Sequence, residues 1–230
     1  MRAVVIRHVA FETLDGFAGP FLRSGFQTRL CDGWDPQAVQ ELRTADCAVL
    51  LGGPIGANDY ANYPYLRELQ AALVDRLKAD KPTLGICLGA QMMALALGGE
   101  LIRGSSLEIG AAPITLSTHG EQSCLQIFQR FPEAWHWHQD QFSLPPGTRP
   151  LASTETTAVQ AFDRGEHILA CQFHPEFAGG VEPWLVGHHV ELMQARVPIA
   201  ELRAQALHHK VDFAHKAEHV AQAWLHGFMD

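Results

Sequence analysis

Two patterns of apolar spacing alternate along the first hundred residues. Short runs rich in apolar and β-branched residues occupy 3–8 (AVVIRH), 26–30 (FQTRL), 46–53 (DCAVLLGG) and 81–87 (KPTLGIC), and read as strands. Between them, 36–45 and 63–80 read as helices; in the second, Leu66, Leu69, Leu73 and Leu77 recur at spacings of three and four, one face of a helix. Strands alternating with helices predict an α/β fold with a mostly parallel sheet and helices on both faces.

The pattern changes after residue 100. Through residue 170 the segments ELIRG, IGAAPITL, PPGTRPLAS, TTAVQAFDRG and HILACQFH alternate with turn residues, and predict antiparallel strands at the sheet edge or over its carboxyl end. From 183 onward PWLVGHHVELMQ, IAELRAQALHH and VDFAHKAEHVAQAWLHGFM read as helical. The expectation is a single domain, 1–230, with 183–230 a C-terminal helical appendage packed on it. If 205–229 is one helix, His208, His215, His219 and His226 form a stripe opposite Phe213, Ala217, Ala221, Trp224 and Phe228. His215 and His219, at i and i+4, have the spacing of a metal pair, but no acidic or cysteine ligand joins them, and a solvated helix face or an oligomer contact is the competing reading. No metal site is assigned.

Composition narrows the function classes. A net charge of −8 gives no electrostatic reason to expect nucleic acid or an anionic membrane as partner. No segment reaches about 18 consecutive apolar residues, and the short apolar run at the start is too short for a secretory signal. The five cysteines are odd in number and lack a repeating spacing, so neither a disulfide framework nor a metal clip is suggested. These features predict a cytoplasmic protein.

The chemistry concentrates at LGICLGAQ, residues 84–91. Cys87 sits between Gly85 and Gly89 where a strand-like run meets a helix-like one, the pattern of a nucleophile elbow with sulfur in place of oxygen. A buried apolar cysteine is the competing reading. A helix N-terminus favours the thiolate, so the elbow predicts a lowered pKa and a reactive sulfur. At the end of another strand-like run, QFHPE supplies His174 as a base and Glu176 as its orienter. Gly52-Gly53-Pro54 ends a third run, where a Gly53 N–H and the N–H of Leu88 provide two donors for an oxyanion. Gln91 lies one helical turn after Cys87, so its amide can enter the same pocket.

In order, GGP, GICLGAQ and QFHPE resemble the class I (triad-type) glutamine amidotransferases, particularly the glutaminase part of GMP synthase, over roughly residues 46–177. The resemblance implies a flavodoxin-like open, mostly parallel sheet with an antiparallel edge region. It implies Cys87 as nucleophile, His174 as base and Glu176 as orienter, with Gln91 contacting the amino-acid end of substrate L-glutamine. Relatives with a cysteine elbow and other chemistry, such as γ-glutamyl hydrolases, usually lack that glutamine. Where the family often has S-H-G-D, this chain has His138-Gln139-Asp140; that segment is assigned to substrate binding, with turn or capping roles as the alternative for Gln139 and Asp140.

The implied reaction hydrolyses the glutamine side-chain amide through a γ-glutamyl thioester, releasing glutamate and ammonia without cofactor or metal. The chain contains no P-loop, so ATP-dependent use of the ammonia would fall to a partner synthase. The alternatives are a stand-alone hydrolase of γ-glutamyl peptides or amides, and a non-catalytic binding or regulatory module. A homo-oligomer is compatible with all three.

Overall fold

Alternate side chains of the first strand, β1 (Arg2–Arg7), enter two different apolar layers. Ala3 and Val5 join one, Val4 and Ile6 the other, and all four are at most 1% exposed. A strand buried on both faces needs helices over both. The computed structural model, which describes residues 1–229 apart from the Ser105 side chain, supplies them.

The remaining strands are β2 (Gln27–Asp32), β3 (Cys47–Leu50), β4 (Thr83–Ile86), β5 (Leu101–Pro113), β6 (Thr115–Leu116), β7 (Glu133–Phe142), β8 (Arg149–Ser153), β9 (Ala161–Arg164) and β10 (Ile168–Cys171). Eight of them form one sheet in the order β2-β1-β3-β4-β10-β9-β8-β6. The first five are parallel, and β9, β8 and β6 run on as an antiparallel edge. This is the open, mostly parallel, flavodoxin-like sheet the sequence predicts. β5 and β7 pair separately as an antiparallel ribbon, with a register shift between Arg103 and Glu108.

Eight helices complete the chain: α1 (Ala18–Arg23), α2 (Pro36–Thr44), α3 (Tyr65–Lys78), α4 (Leu88–Ala96), α5 (Glu182–Gly187), α6 (His189–Gln194), α7 (Ile199–His208) and α8 (Lys210–Met229). Leu66, Leu69, Leu73 and Leu77 of α3 pack with Leu42 of α2 and Met92 and Met93 of α4 on the Val4/Ile6 face. The opposite face takes Phe21 of α1 and Ala217, Val220, Ala221, Trp224 and Leu225 of α8. A third apolar cluster joins Trp135 and Trp137 of β7 to Phe177, Trp184, Leu202 and Phe213. Among the described residues, no helix is long and apolar enough to cross a membrane.

Several expectations change. β10, read as part of an antiparallel edge region, is an interior strand paired parallel to β4. ELIRG and IGAAPITL belong mainly to one long strand, β5, and the sequence reading passes over both β7 and α1. β7 alternates tryptophan and histidine, a mixed pattern that carries no clean apolar/polar period. The proposed single helix over 205–229 is broken between α7 and α8 at His209. His208, His215 and His226 are exposed and His219 half-buried, while Phe213, Ala217, Ala221 and Trp224 are buried. That buried side also takes Lys216, whose ammonium donates to the carbonyls of Phe131 and Glu133 and lies over the rings of Phe128 and Phe213.

Two constraints tie the sheet to its helices. Arg76 of α3 is 1% exposed with no carboxylate partner; its guanidinium donates to the carbonyls of Leu42, Ala45, Asp46 and Pro82 and to Thr83 Oγ1, joining the end of α2 to the starts of β3 and β4. Gly89 of α4 lies so close to β3 that a Cβ there would land on the Leu50 carbonyl oxygen. Backbone cannot yield as a flexible side chain can. Gly89→Ala is therefore expected to cost about 2–3 kcal/mol, and to lower the melting temperature by roughly 5–10 °C. Gly180→Ala, where a Cβ meets nothing within 4 Å, is expected to leave it unchanged; thermal unfolding followed by circular dichroism compares the two.

Candidate active site

Four adjacent parallel strands end on the same side of the sheet, and each is followed by a residue of one cavity: Glu12 after β1, Gly53 after β3, Cys87 after β4 and His174 after β10. Crevices beyond strand carboxyl ends are where open α/β sheets place their chemistry. The cavity, about 230 Å³, is also lined by Gln91, Arg103, Trp137, His138, Gln139, Asp140, Trp184, His188 and Glu191. Its size suits an amino acid rather than a large ligand.

Cys87 is held at φ +50°, ψ −107°, a left-handed backbone that a residue with a side chain rarely adopts. Its N–H donates to the Cys171 carbonyl at 2.8 Å, tying the turn to β10. Gly85 and Gly89 leave no room for Cβ atoms, a Cβ on Gly85 falling 2.7 Å from the Gly89 backbone. The sharp strand-to-helix turn that the glycine spacing predicts is therefore present, and the thiol points across the cavity toward the Trp137 carbonyl, 3.8 Å away.

His174 Nδ1 lies 2.8 Å from Glu176 Oε1, with both side chains at most 2% exposed. The other ring nitrogen, Nε2, has no protein partner. The His174 N–H donates to the Trp135 carbonyl, and the Trp184 ring meets the imidazole edge-on at 4.6 Å. Strand β7 and helix α5 thus fix the imidazole from two sides.

Burial governs the protonation of these groups. It pushes the Cys87 thiol well above its ordinary range, and the nearby Glu12 charge adds to the rise; the Leu88 N–H acts in the opposite direction without winning. The lowered thiol pKa expected from a helix N-terminus is therefore corrected: α4 starts inside the protein, where desolvation of the anion outweighs the helix end. Burial likewise lowers His174 to about 4, against the Glu12 charge, which raises it, and with His188, which lowers it further. Glu176 is pushed well above the usual carboxylate range by burial. At rest the sulfur keeps its proton and the imidazole is neutral.

The segment assigned to substrate binding lies on β7 and reaches the cavity. Asp140 Oδ1 pairs with Arg103 at 3.1 Å, and the Gln139 side chain accepts from Arg103 and donates to the Gly104 carbonyl. Gln91 Nε2 donates to the Asp140 carbonyl and to Gln172 Oε1, at 3.4 and 3.3 Å. His138 is tied down from behind, its Nε2 lying 3.2 Å from Glu108 Oε2. The sequence reading missed Glu12, Arg103, Trp184, His188 and Glu191. Glu12 has one signal, its place just past the carboxyl end of the first strand; the others come from β5, α5 and α6, which only the folded chain brings here.

Two groups of described residues bring three ligand atoms within 4.8 Å of one another: Glu108/His136/His138 and Glu12/His174/Glu176. In the first, the Glu108 oxygens already accept from Thr154, Thr156, Thr157 and Gln160. The second shares its atoms with the Cys87 cavity. Neither is assigned as a metal site.

Residues 26–184 match the family model described as glutamine amidotransferase class-I. One of the two subunits named for the glutamine-hydrolyzing GMP synthase of Sulfurisphaera tokodaii is 34% identical over 140 residues, spanning 60% of this chain and 71% of that one. The glutamine amidotransferase-like protein YfeJ of Salmonella typhimurium is 28% identical over 222 residues, 89% of this chain and 90% of that one. Among solved structures, a glutamine amidotransferase from Thermotoga maritima superposes with a TM-score of 0.82 at 27% identity, covering 98% of each chain. One from Methylobacillus flagellatus superposes at 0.85 and 25% identity, covering 98% of this chain and 94% of that one. With a sheet of this topology, a cysteine on a strained turn and a family match across most of its length, the chain belongs to the class I glutamine amidotransferases, enzymes that hydrolyse the amide of glutamine.

Proposed function

We propose that this chain hydrolyses the side-chain amide of L-glutamine with Cys87 as nucleophile, His174 as general base and acid, and Glu176 as its orienter, delivering ammonia to a synthase partner. The observation that carries the reading is the placement of the strained Cys87 turn and the His174–Glu176 pair in one amino-acid-sized cavity with Gln91. In this reading 1–230 is one amidotransferase domain and 183–230 its helical appendage.

The resting protonation states set the order of events. Because burial disfavours both an isolated thiolate and an isolated imidazolium, the proton moves from Cys87 Sγ to His174 Nε2 as the sulfur attacks the carboxamide carbon. The negative charge then passes to the substrate oxygen, where the Gly53 and Leu88 N–H groups would receive it. His174 returns the proton to the departing nitrogen, and ammonia leaves. Water, deprotonated by His174, attacks the γ-glutamyl thioester and releases glutamate and the thiol. Gln91, His138, Gln139 and Asp140 would hold the amino-acid end of the substrate, with Arg103 available for a carboxylate.

One feature favours a second reading, hydrolysis of γ-glutamyl peptides or amides. Arg103 and Glu191 line the cavity yet have side chains 74% and 47% exposed, so they stand where it meets solvent and offer charge to a leaving group larger than ammonia.

The purified chain is expected to release glutamate from L-glutamine, and Cys87→Ala to abolish the release, with a loss of at least about 10³-fold. Release from γ-glutamyl peptides in preference to glutamine would replace the first reading with the second. Glu176→Gln is expected to lower kcat by about 10²-fold or more with little change in KM, because the amide leaves the imidazolium unsupported only after proton transfer; steady-state kinetics on both variants separate the two effects.

A further inference from the structure

The site contains an ionisable group that the proposed triad does not use. Glu12 is 2% exposed, lines the cavity, and has a carboxyl oxygen, Oε2, with no protein partner. Its position is set by close packing: a Cβ on Gly52 would fall 2.8 Å from Glu12 Oε1 and 3.0 Å from Oε2, so the glycine is what admits the carboxyl group. One ligand atom each of Glu12, His174 and Glu176 lies within 4.8 Å of the others. An isolated carboxyl group in such a place costs several kcal/mol unless a positive charge or hydrogen bonds compensate it.

We propose that Glu12 is a positioning residue for His174: packed on Gly52 and set beside the imidazole, its carboxylate holds the positive charge that appears on His174 when Cys87 gives up its proton. The inference rests on the triad reading above. The S–H bond breaks, an N–H bond forms at Nε2, and the imidazolium then stands between two carboxyl groups, Glu176 and Glu12. As the sulfur bonds to the substrate carbon, its negative charge moves to the carbonyl oxygen, while the positive charge remains on His174 until the leaving nitrogen takes the proton. Glu12 therefore stabilises the transition state although its charge opposes an isolated thiolate.

The electrostatic surroundings agree. Burial raises Glu12 to about 7, His174 draws it back down, Glu176 adds to the rise, and the Gly52 N–H lowers it. The groups that face this cluster are Cys87, His174 and Glu176, with His188 and Glu191 from α6 and Asp15 behind Glu176. Below its pKa Glu12 is neutral and gives His174 little support; above it, the carboxylate favours the imidazolium. Reactivity of Cys87 thus rises with pH through the Glu12 ionisation.

The test follows alkylation of the full chain by iodoacetamide from about pH 5 to 9, read at the Cys87 peptide by mass spectrometry, together with glutamate release from L-glutamine over the same range. In the wild type the alkylation rate is expected to rise through an inflection near pH 7; in Glu12→Gln that inflection disappears, and kcat/KM falls about 10- to 100-fold, mostly in kcat. Glu12→Asp, which keeps the charge but withdraws it by one methylene, recovers part of the rate and restores an inflection. Superimposable wild-type and Glu12→Gln profiles with kcat/KM within twofold, or a wild-type profile without an inflection between about pH 6 and 8, overturn the proposal. A purely structural role would lower the melting temperature and the amount of alkylatable Cys87 without moving the profile. Alkylation needs no glutamine, so Glu12-dependent alkylation in a chain that releases no glutamate would sink the proposed function and leave this inference standing.

Discussion

The turn from β4 into α4 is the constraint around which the site is built. Cys87 takes a backbone conformation that carries a cost on the order of 1–3 kcal/mol, and nothing local to the peptide favours it. The surroundings enforce it. The Cys87 N–H is anchored on β10, Gly89 touches β3, and Gly85 admits Met93 and the first turn of the helix. Sheet and helix can pack this closely only where side chains are missing, so the two glycines and the exposed sulfur are consequences of one packing requirement. Arg76 performs the complementary task at the other end of the strands, gathering carbonyls that no backbone partner reaches.

Burial gives the same turn its chemical character. An elbow cysteine near solvent would be a standing thiolate. Here the desolvation cost keeps thiol, imidazole and carboxyl groups neutral until a substrate is present to accept charge. A site of this kind holds its reactivity in reserve, and its acid–base groups have to be read as one coupled set. The aromatic wall from Trp135, Trp137, Phe177 and Trp184 serves that purpose twice: it excludes water, and it clamps the imidazole in the plane that Glu176 requires.

The helices after residue 182 take part in that wall. Trp184 of α5 touches His174, and His188 and Glu191 pair at 2.9 Å beside the cavity. Helix α8 packs on the opposite side of the sheet, against α1. The C-terminal part of the chain therefore both shapes the mouth of the site and covers one face of the core.

The sequence by itself determined the parallel half of the sheet and the chemistry at its strand ends. Leucine periodicity marked α3, short β-branched runs marked β1 and β3, and glycines spaced two residues either side of Cys87 marked the elbow, because each is a local requirement written within a few residues. QFHPE placed His174 and Glu176 two residues apart for the same reason. What the tertiary structure decided is everything that depends on neighbours distant along the chain: the entry of β10 between β4 and β9, the separate β5–β7 ribbon hidden in a mixed Trp/His pattern, and the arrival of Glu12 beside His174, 162 residues away in sequence. The upward shift of the Cys87 pKa belongs with these. A helix end is a local feature and favours the thiolate, but desolvation is set by the whole fold, and in this cavity it is the larger effect.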